Sequence, residues 1–512
     1  MANDPLDAVP EVRGVPTSIT AFVGRAWRGP VDEPVAIGNW SEYERTFGGL
    51  WRPSTMSFAV QQFFTNGGEQ AVVVRVATRT GERRAAAASM SVGDWTFEAA
   101  DPGSWGRNLI VTFDASPVIA AAPPASQRNL FDVTIVDDAA GTADDDSRGG
   151  TGAAERFPSV SSDPASTRFV PAVLAEESVL LRVTSVGADR PPAGSISPAG
   201  DSGSDGLAID AADVSDTAND GPNAGIYALR RTDLFNILCI PPFSPETIDN
   251  GMPTWAAAAA LCGERRAMLL VDAPADWSLS NPSTAAFGAI ERANAAIYFP
   301  RLQMPDPLRR DAVADFAPSG AVAGLVARTD IERGVWKAPA GIDAVLRGVV
   351  GLSIDGAPGL ISDEDSKAFN EAGINCLRTF PNAGTVAWGA RTMEGAEGLV
   401  SDWKYVAVRR LAIYLEESID RGTKWVVFEP NGEPLWARIR LCIGAFLHEL
   451  FRLGAFQGAT PSEAWFIKCD SETTTLDDVD RGVVNIVVGF APLKPAEFVV
   501  VRVQQLAGRT HD

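Results

Sequence analysis

Hydrophobic residues occur in short unbroken runs that alternate with helical patterns in two parts of the chain. Between residues 15 and 78, SITAFVGRA and QAVVVRVA predict strands, and NWSEYERTFGG and STMSFAVQQFFTNGG predict helices. Residues 226–395 repeat this rhythm, with strands in LFNILCIP, RAMLLVDAP and AAIYFPRL and helices in TWAAAAALCGER and STAAFGAIERAN. Unbroken apolar runs are typical of strands buried on both faces. Residues 25–78 and 226–395 are therefore predicted to form a layered α/β domain with a largely parallel sheet.

The residues between these two parts, 79–225, have a different pattern. Short strand candidates such as DWTFEAA, NLIVTFDAS, NLFDVTIVDD and SVLLRVTSV stand between loops rich in Gly, Pro, Ser and Asp. The segment has 10 basic residues against 22 acidic ones. This composition predicts a mostly β insertion with an acidic, solvated outer face.

The last block, residues 396–512, contains two helical patterns followed by strands. WKYVAVRRLAIYLEESIDRG has one apolar stripe, and EPLWARIRLCIGAFLHELFRLGAF has Pro434 in its predicted first turn and ends near Gly454. EAWFIKCD, VVNIVVGFAP and AEFVVVRVQQLAG predict strands. The chain is thus predicted to combine α/β and α+β domains, with residues 1–24 as a short N-terminal segment.

Composition narrows the classes of partner. The chain of 512 residues has a formal net charge of −21, which argues against nucleic acid and anionic membrane surfaces as partners. It shows neither a secretory signal pattern nor an apolar stretch of bilayer length, so we expect it to be made in the cytoplasm. Five widely spaced cysteines predict buried reduced thiols.

Three motifs point to catalysis or metal binding, and each lacks an essential residue. His448 and Glu449 begin a zinc protease pattern, but Arg452 stands where the second histidine is required. The GDSG sequence at 200–203 resembles a serine protease loop, yet both histidines of the chain follow Ser202. The calcium-loop pattern from Asp201 has Ala212 at its twelfth position. We therefore predict no catalytic, metal or cofactor site, although 65 acidic residues leave a motif-free carboxylate pair open.

Several long stretches, taken together, resemble the tail sheath proteins of contractile phages and related contractile injection systems. They are TSITAFVGRAWRGPVDEPVAIGNWSEYERTFGG (17–49), AVQQFFTNGGEQAVVVRV (59–76), ERGVWKAPAG (332–341), GINCLRTFPNAGTVAWGARTM (373–393) and WKYVAVRRLAIYLEESIDRGTKWVVFEPNGEPLWARIR (403–440). They follow the order of that family and cover most of the chain outside residues 79–225.

The resemblance implies a non-enzymatic structural subunit that polymerises helically around an inner tube and contracts to drive the tube through a target envelope. Expected partners are copies of itself, the inner tube protein, and baseplate and terminal cap proteins, within a tail or injection particle. It implies a subtilisin-like, non-catalytic middle domain, an outward insertion, and a C-terminal inner domain that faces the tube and links subunits by strand exchange. The short N-terminal sequence MANDPLDAVPEVRGVP departs from the longer arm of the family. A divergent sheath paralogue with a capping or baseplate-proximal role, an α/β hydrolase, and an unrelated self-associating protein are the alternatives.

Two sets of residues are the candidates for these contacts. Arg438, Glu449 and Arg452 share a polar stripe of the second C-terminal helix, which predicts either a solvent-facing surface or a tube-facing one. The last predicted strand is long and β-branched, so it can pair with a neighbouring molecule. Its candidate residues are Glu497, Phe498, Val499, Val500, Val501, Arg502 and Val503.

Overall fold

The computed structural model describes residues 11–78, 84–115, 129–138, 148–149, 153–200, 202–215, 223–280, 282, 284–288, 290–396 and 401–497. The chain divides into two compact units. The larger unit comprises Pro16–Glu332 and Pro339–Ile413, and the C-terminal unit comprises Met1–Val15, Arg333–Ala338 and Tyr414–Asp512. No helix within the described ranges is long and apolar enough to cross a membrane.

An eight-stranded sheet in the order β2-β4-β1-β13-β14-β15-β20-β21 runs through the larger unit. Its strands are β1 Thr20–Gly24, β2 Pro34–Ile37, β4 Ala71–Arg75, β13 Ile237–Cys239, β14 Met268–Asp272, β15 Ala295–Phe299, β20 Ile374–Phe380 and β21 Gly384–Ala387. The six inner strands are parallel, and each edge strand is antiparallel to its neighbour. Every residue of β1, β4, β13, β14 and β15 is buried, so the prediction of a largely parallel sheet from unbroken apolar runs is confirmed.

The helices of the larger unit begin and end largely where local signals place them. They are α1 Trp40–Phe47, α2 Thr55–Thr65, α3 Val170–Glu177, α4 Ala211–Ser215, α5 Met252–Glu264, α6 Ser319–Arg333, α7 Asp363–Glu371 and α8 Val406–Gly422, of which α6 and α8 continue into the C-terminal unit. The Asn39 side chain caps α1 by accepting a hydrogen bond from the Glu42 N–H, and Gly48 ends α1 with a left-handed φ of 86°.

Two helix predictions need correction. The segment STAAFGAIERAN forms only a 3-10 turn, Thr284–Phe287, after which Gly288 leaves helical geometry with φ of 31°. Conversely, α6 was not predicted, because its first nine residues are all buried and show no amphipathic stripe. A Cβ on Gly320 would lie 2.3 Å from the Ala59 carbonyl oxygen, so glycine allows α6 to approach α2 closely.

The predicted β-rich insertion is present in the larger unit, and the division into compact units does not separate it from the α/β part. Two antiparallel sheets, in the orders β10-β8-β7-β12 and β11-β6-β5, share one aromatic-rich core. Their strands are β5 Ser89–Val92, β6 Trp95–Ala99, β7 Leu109–Ala115, β8 Leu130–Asp137, β10 Ala154–Ser161, β11 Leu181–Ser185 and β12 Gly194–Ile196. A buried ion pair of 3.0 Å joins Asp137, the last residue of β8, to Arg28 of the α/β part.

Two smaller sheets complete the larger unit. The chain after β15 forms a four-stranded antiparallel sheet in the order β17-β16-β18-β19, which was not predicted. A two-stranded sheet pairs β3 with β9. The bounds are β3 Leu50–Trp51, β9 Arg148–Gly149, β16 Arg301–Asp306, β17 Ala312–Phe316, β18 Gly351–Ile354 and β19 Ala357–Pro358.

The predicted N-terminal segment 1–24 divides at Val15. Residues 11–15 pack on the C-terminal unit, where the Val15 N–H donates to Ser418 Oγ at 3.2 Å and Val12 is buried. Strand β1 instead lies in the middle of the eight-stranded sheet. All five residues of β1 are buried in the sheet, and this burial stabilises the strand there more than an exposed arm could. The predicted boundary of the N-terminal segment at residue 24 is therefore wrong.

The C-terminal unit contains the second predicted helical pattern, the end of the first one and one small sheet; residues 396–413, predicted as part of this block, belong to the larger unit. Its elements are the end of α8, α9 Glu433–Arg452, α10 Pro461–Ala464, α11 Leu476–Asp480, and the antiparallel strands β22 Trp465–Lys468 and β23 Val487–Phe490. Pro434 lies in the first turn of α9, and Gly454 follows its end with φ of 79°.

All five cysteines of the chain are buried as free thiols.

Candidate functional site

The serine of the GDSG motif has a structural role. Ser202 Oγ accepts a hydrogen bond from the Ser89 N–H at 2.6 Å and donates to the Ser89 carbonyl oxygen at 3.2 Å. Both contacts tie the loop to edge strand β5. The hydroxyl is therefore held by main chain, whereas a nucleophilic serine needs its hydroxyl proton directed at a base.

The carboxylates of two acidic segments also form hydrogen bonds to nearby serine residues. Asp205, from the calcium-like loop, accepts hydrogen bonds from the N–H and Oγ of Ser104 at 2.8 and 2.6 Å. Asp365 completes a capping box with Ser362 at the start of α7. Among the residues that the structure describes, no group of three or more His, Cys, Asp or Glu side chains has the arrangement of a metal site.

One buried acid that the sequence did not single out lies at the carboxyl end of β14. Asp272 accepts hydrogen bonds from the Ser319 N–H at 2.8 Å and from Ser319 Oγ at 2.7 Å, which fixes the start of α6. Burial raises the pKa of Asp272 to about 6, because the charged form loses its hydration, while the two hydrogen bonds act in the opposite direction. The folded protein thus binds a proton that the unfolded chain releases near pH 4.

This pKa predicts a pH dependence of stability. Between about pH 4 and 6 the folded state binds more protons than the unfolded state, so the free energy of unfolding falls as pH rises, by up to about 3 kcal/mol. Asp272→Asn can keep both contacts to Ser319 by reversing the hydroxyl, and it removes the titration. We expect urea midpoints between pH 4 and 8 to decline less in the variant than in the wild type. Parallel profiles would contradict this assignment.

The candidate docking stripe on α9 is only partly exposed. Glu449 and Arg452 are exposed at the end of the helix, whereas Arg438 is half-buried, with its guanidinium carbon 4.9 Å from the centre of the Trp425 ring. His448 is exposed beside Phe451, at 6.3 Å between ring centres. Leu441, on the same helix, is 59% exposed, because the buried face of α9 lies on its other side.

Exposed apolar side chains are concentrated in the C-terminal unit. Of the 19 large hydrophobic residues exposed in the described ranges, nine lie in this unit: Val427, Phe428, Leu441, Leu453, Phe466, Leu476, Val483, Val487 and Leu493. Phe428 is fully exposed and has a φ of 71°, a conformation that a bulky side chain rarely adopts. Their number makes the C-terminal unit the first candidate for a contact surface.

The small sheet of this unit has open strand edges and exposed apolar side chains. Strands β22 and β23 pair only with each other in the described residues, and Phe466 and Val487 are exposed on them. Open strand edges accept further strands. Of the strand candidates, Glu497 is exposed and outside any described strand, and Phe498 to Val503 lie outside the described residues. The linking strand stays a prediction.

Comparison with known proteins decides the family. Residues 233–393 match the family model for the phage tail sheath protein central domain, and residues 400–505 match the model for the phage tail sheath C-terminal domain. The chain belongs to the phage tail sheath family. The two matches follow each other along the sheath protein and together cover slightly more than half of it.

Solved sheath structures share the fold over nearly the whole chain. The contracted helical sheath of the anti-feeding prophage is 22% identical, with 97% of this sheath protein and 96% of that chain covered and a TM-score of 0.57. The contracted sheath complex of the PVC extracellular contractile injection system is 19% identical, with 99% and 96% covered and a TM-score of 0.56. A sheath tail protein from Listeria innocua is 11% identical, with 94% and 96% covered and a TM-score of 0.62. No curated protein sequence matched.

Sequence reasoning missed the surface features of the sheath protein for a common reason. The Arg438–Trp425 stack joins residues on different elements, and the exposure of Leu441 depends on which face of α9 is covered. Neither has a local signal in the sequence. The β-branched segment after residue 496, in contrast, predicts a strand from the local sequence alone, without knowledge of the strand that it pairs with.

Proposed function

We propose that this protein is the structural subunit of a contractile sheath, which polymerises helically around an inner tube and shortens to drive the tube into a target envelope. The observation that supports this function most strongly is the pair of consecutive sheath-domain matches, to residues 233–393 and 400–505. The fold shared with sheaths in the contracted state supports the same function. The particle is a phage tail or an injection system, with baseplate, tube and terminal cap proteins as partners.

The larger unit acts as the body of the subunit. In this proposal its α/β part corresponds to the non-catalytic, subtilisin-like domain of the family, and the acidic insertion projects outward. A minor role at the cap or baseplate is the second candidate, favoured because residues 11–15 are packed against their own C-terminal unit instead of a neighbouring subunit. An α/β hydrolase has less support, since Ser202 is held by backbone groups.

The C-terminal unit links subunits in this proposal. The segment from Glu497 adds as a strand to the two-stranded sheet of a neighbouring subunit. Strand addition is carried by main-chain hydrogen bonds, so it can persist while other faces of the subunits change partners during contraction. Phe466 and Val487, exposed on β22 and β23, would become covered at that junction.

The function is tested by electron microscopy of the full-length protein expressed together with the inner tube protein of the same particle. We expect long, regularly striated tubes. Monodisperse monomers in the presence of both tube and baseplate proteins would refute a sheath role. Short caps or rings at tube ends, without long tubes, would favour the minor-subunit role instead.

We also propose that the α9 stripe docks on acidic groups of the inner tube. Arg438→Glu/Arg452→Glu reverses two charges on the stripe, and Arg452→Glu alone spares the stack on Trp425. We expect both variants to stay folded by circular dichroism and to lose assembly on tubes in a pelleting assay, the double variant completely. Arg333→Glu, at an exposed arginine outside α9, is the matched control and should assemble normally. Unchanged assembly of the double variant would eliminate this docking site.

A further inference from the structure

A cavity of about 850 Å³ lies in the larger unit at the carboxyl end of the parallel sheet. In the sheet, β1 lies between β4, the next parallel strand along the chain, and β13, which comes much later. The strand order therefore reverses between β1 and β13. Crevices at such a reversal are the usual ligand sites of open α/β sheets, because the loops after the two strands separate there. The volume is within the range of about 300–1,000 Å³ that small-molecule sites have.

The ends of several elements bring polar groups into this cavity. Arg25 directly follows β1, Pro241 comes shortly after β13, and Arg301 begins β16 just after β15. Thr55, the first residue of α2, also lines it. The cavity is therefore bordered by one side of α2, from Thr55 to Gln62, and by the two arginines that follow β1 and β15.

Two side chains in the lining, the half-buried Arg301 and the buried Gln62, have shielded polar atoms without a hydrogen-bond partner in the described part of the chain. Arg301 Nε and Nη2 are shielded from solvent and make no hydrogen bond. Gln62 is 5% exposed, and its Oε1 accepts none. A buried donor or acceptor left unsatisfied is destabilising, so such a group usually bonds to an ordered water molecule or a ligand.

The charges of the lining favour an anion. Arg52, Arg301 and Arg309 make no ion pair with the described residues, and Arg25 is stacked 4.8 Å from the centre of the Trp51 ring. The acidic residues of the lining are Glu246, Asp306 and Asp315. Of these, Asp306 accepts from the Leu308 N–H at 2.9 Å, and Asp315 accepts from Ser353 Oγ and, at 3.3 Å, from Gln303 Nε2.

Burial also lowers the pKa of Arg301, while Asp272 and Asp315 act against that shift. A bound anion would restore stabilisation of the guanidinium, and planar guanidinium groups bind phosphate oxygens through paired hydrogen bonds. The buried position of Gln62 places an unpaired acceptor inside the cavity, where a small molecule can reach it.

We propose that this cavity binds a phosphorylated small molecule of nucleotide size. Its phosphate groups contact Arg301 and the surrounding arginines, and a hydroxyl or amino group of its organic part donates to Gln62 Oε1. All lining residues of the cavity belong to the larger unit, whereas the proposed docking residues of α9 belong to the C-terminal unit. Occupancy would connect four arginines from different loops and stabilise the larger unit.

The test is isothermal titration of the full-length protein with inorganic pyrophosphate and, separately, with ATP at low ionic strength. We expect one molecule bound per chain and a rise in the thermal unfolding midpoint. Arg301→Gln should weaken both ligands at least tenfold, and Arg333→Gln, outside the cavity, should leave both unchanged. Gln62→Leu should weaken ATP and leave pyrophosphate unchanged, which gives a second readout if Arg301→Gln does not fold.

Three results would overturn the proposal. The first is that neither pyrophosphate nor ATP binds the wild type. The second is equal binding by the wild type, Arg301→Gln and Gln62→Leu, which would indicate adventitious contact with surface arginines. Binding of a polyglutamate peptide without any binding of pyrophosphate or ATP would assign the cavity to an acidic segment of a protein partner instead.

Discussion

Removal of residues 498–512 is expected to abolish polymerisation and leave a folded subunit. The deleted segment contains the β-branched run FVVVRV, which we propose adds to the β22–β23 sheet of a neighbouring subunit. Each such strand supplies several main-chain hydrogen bonds and covers exposed apolar residues, so no other single contact can replace it. Negative-stain electron microscopy and size-exclusion chromatography measure the loss of striated tubes and the appearance of monomer.

Removal of residues 506–512 alone is the matched control, because it shortens the same end of the chain and spares the predicted strand from Glu497 to Gln505. We expect this variant to assemble like the wild type. If the longer deletion also formed normal tubes, the linking strand would have to be sought elsewhere in the chain.

Asp330→Ala is expected to destabilise the larger unit by about 3–5 kcal/mol, because it leaves a buried arginine without its counter-charge. Arg410 of α8 makes two hydrogen bonds to the Asp330 carboxylate of α6, at 2.6 and 2.8 Å, and both side chains are less than 5% exposed. Thr17 Oγ1 donates to the same carboxylate at 2.7 Å, and the Thr17 carbonyl oxygen accepts from Arg410. Urea midpoints followed by tryptophan fluorescence measure the loss.

Two further variants separate the buried charge from the loss of a contact. Asp363→Ala removes the partner of Arg378 at the surface, where the Asp363 side chain is 96% exposed, and should cost below about 1 kcal/mol. Asp330→Leu/Arg410→Met replaces both buried charges by apolar groups and should recover most of the stability that Asp330→Ala loses. Equal effects of Asp330→Ala and Asp363→Ala would show that this buried pair contributes little.

Local and periodic features were predictable from the sequence. The strands β1, β4, β13, β14 and β15 followed from unbroken apolar runs, because a strand covered on both faces must be apolar throughout. The start of α1 followed from Asn39 and its end from Gly48, because these residues satisfy helix ends by their own chemistry. The family followed from long stretches in a fixed order, and two domain matches agree with it.

Tertiary structure decided what depends on residues far apart in the chain. Helix α6 has no amphipathic stripe because it is buried on all sides at its start, and β1 belongs to the sheet because β4 and β13 pair with it. The cavity beside β1 joins Arg25, Gln62 and Arg301, which no spacing relates. Hydrophobic periodicity reports only whether a face is covered. Which distant segment covers it, and which arginines are left without partners, is decided by packing.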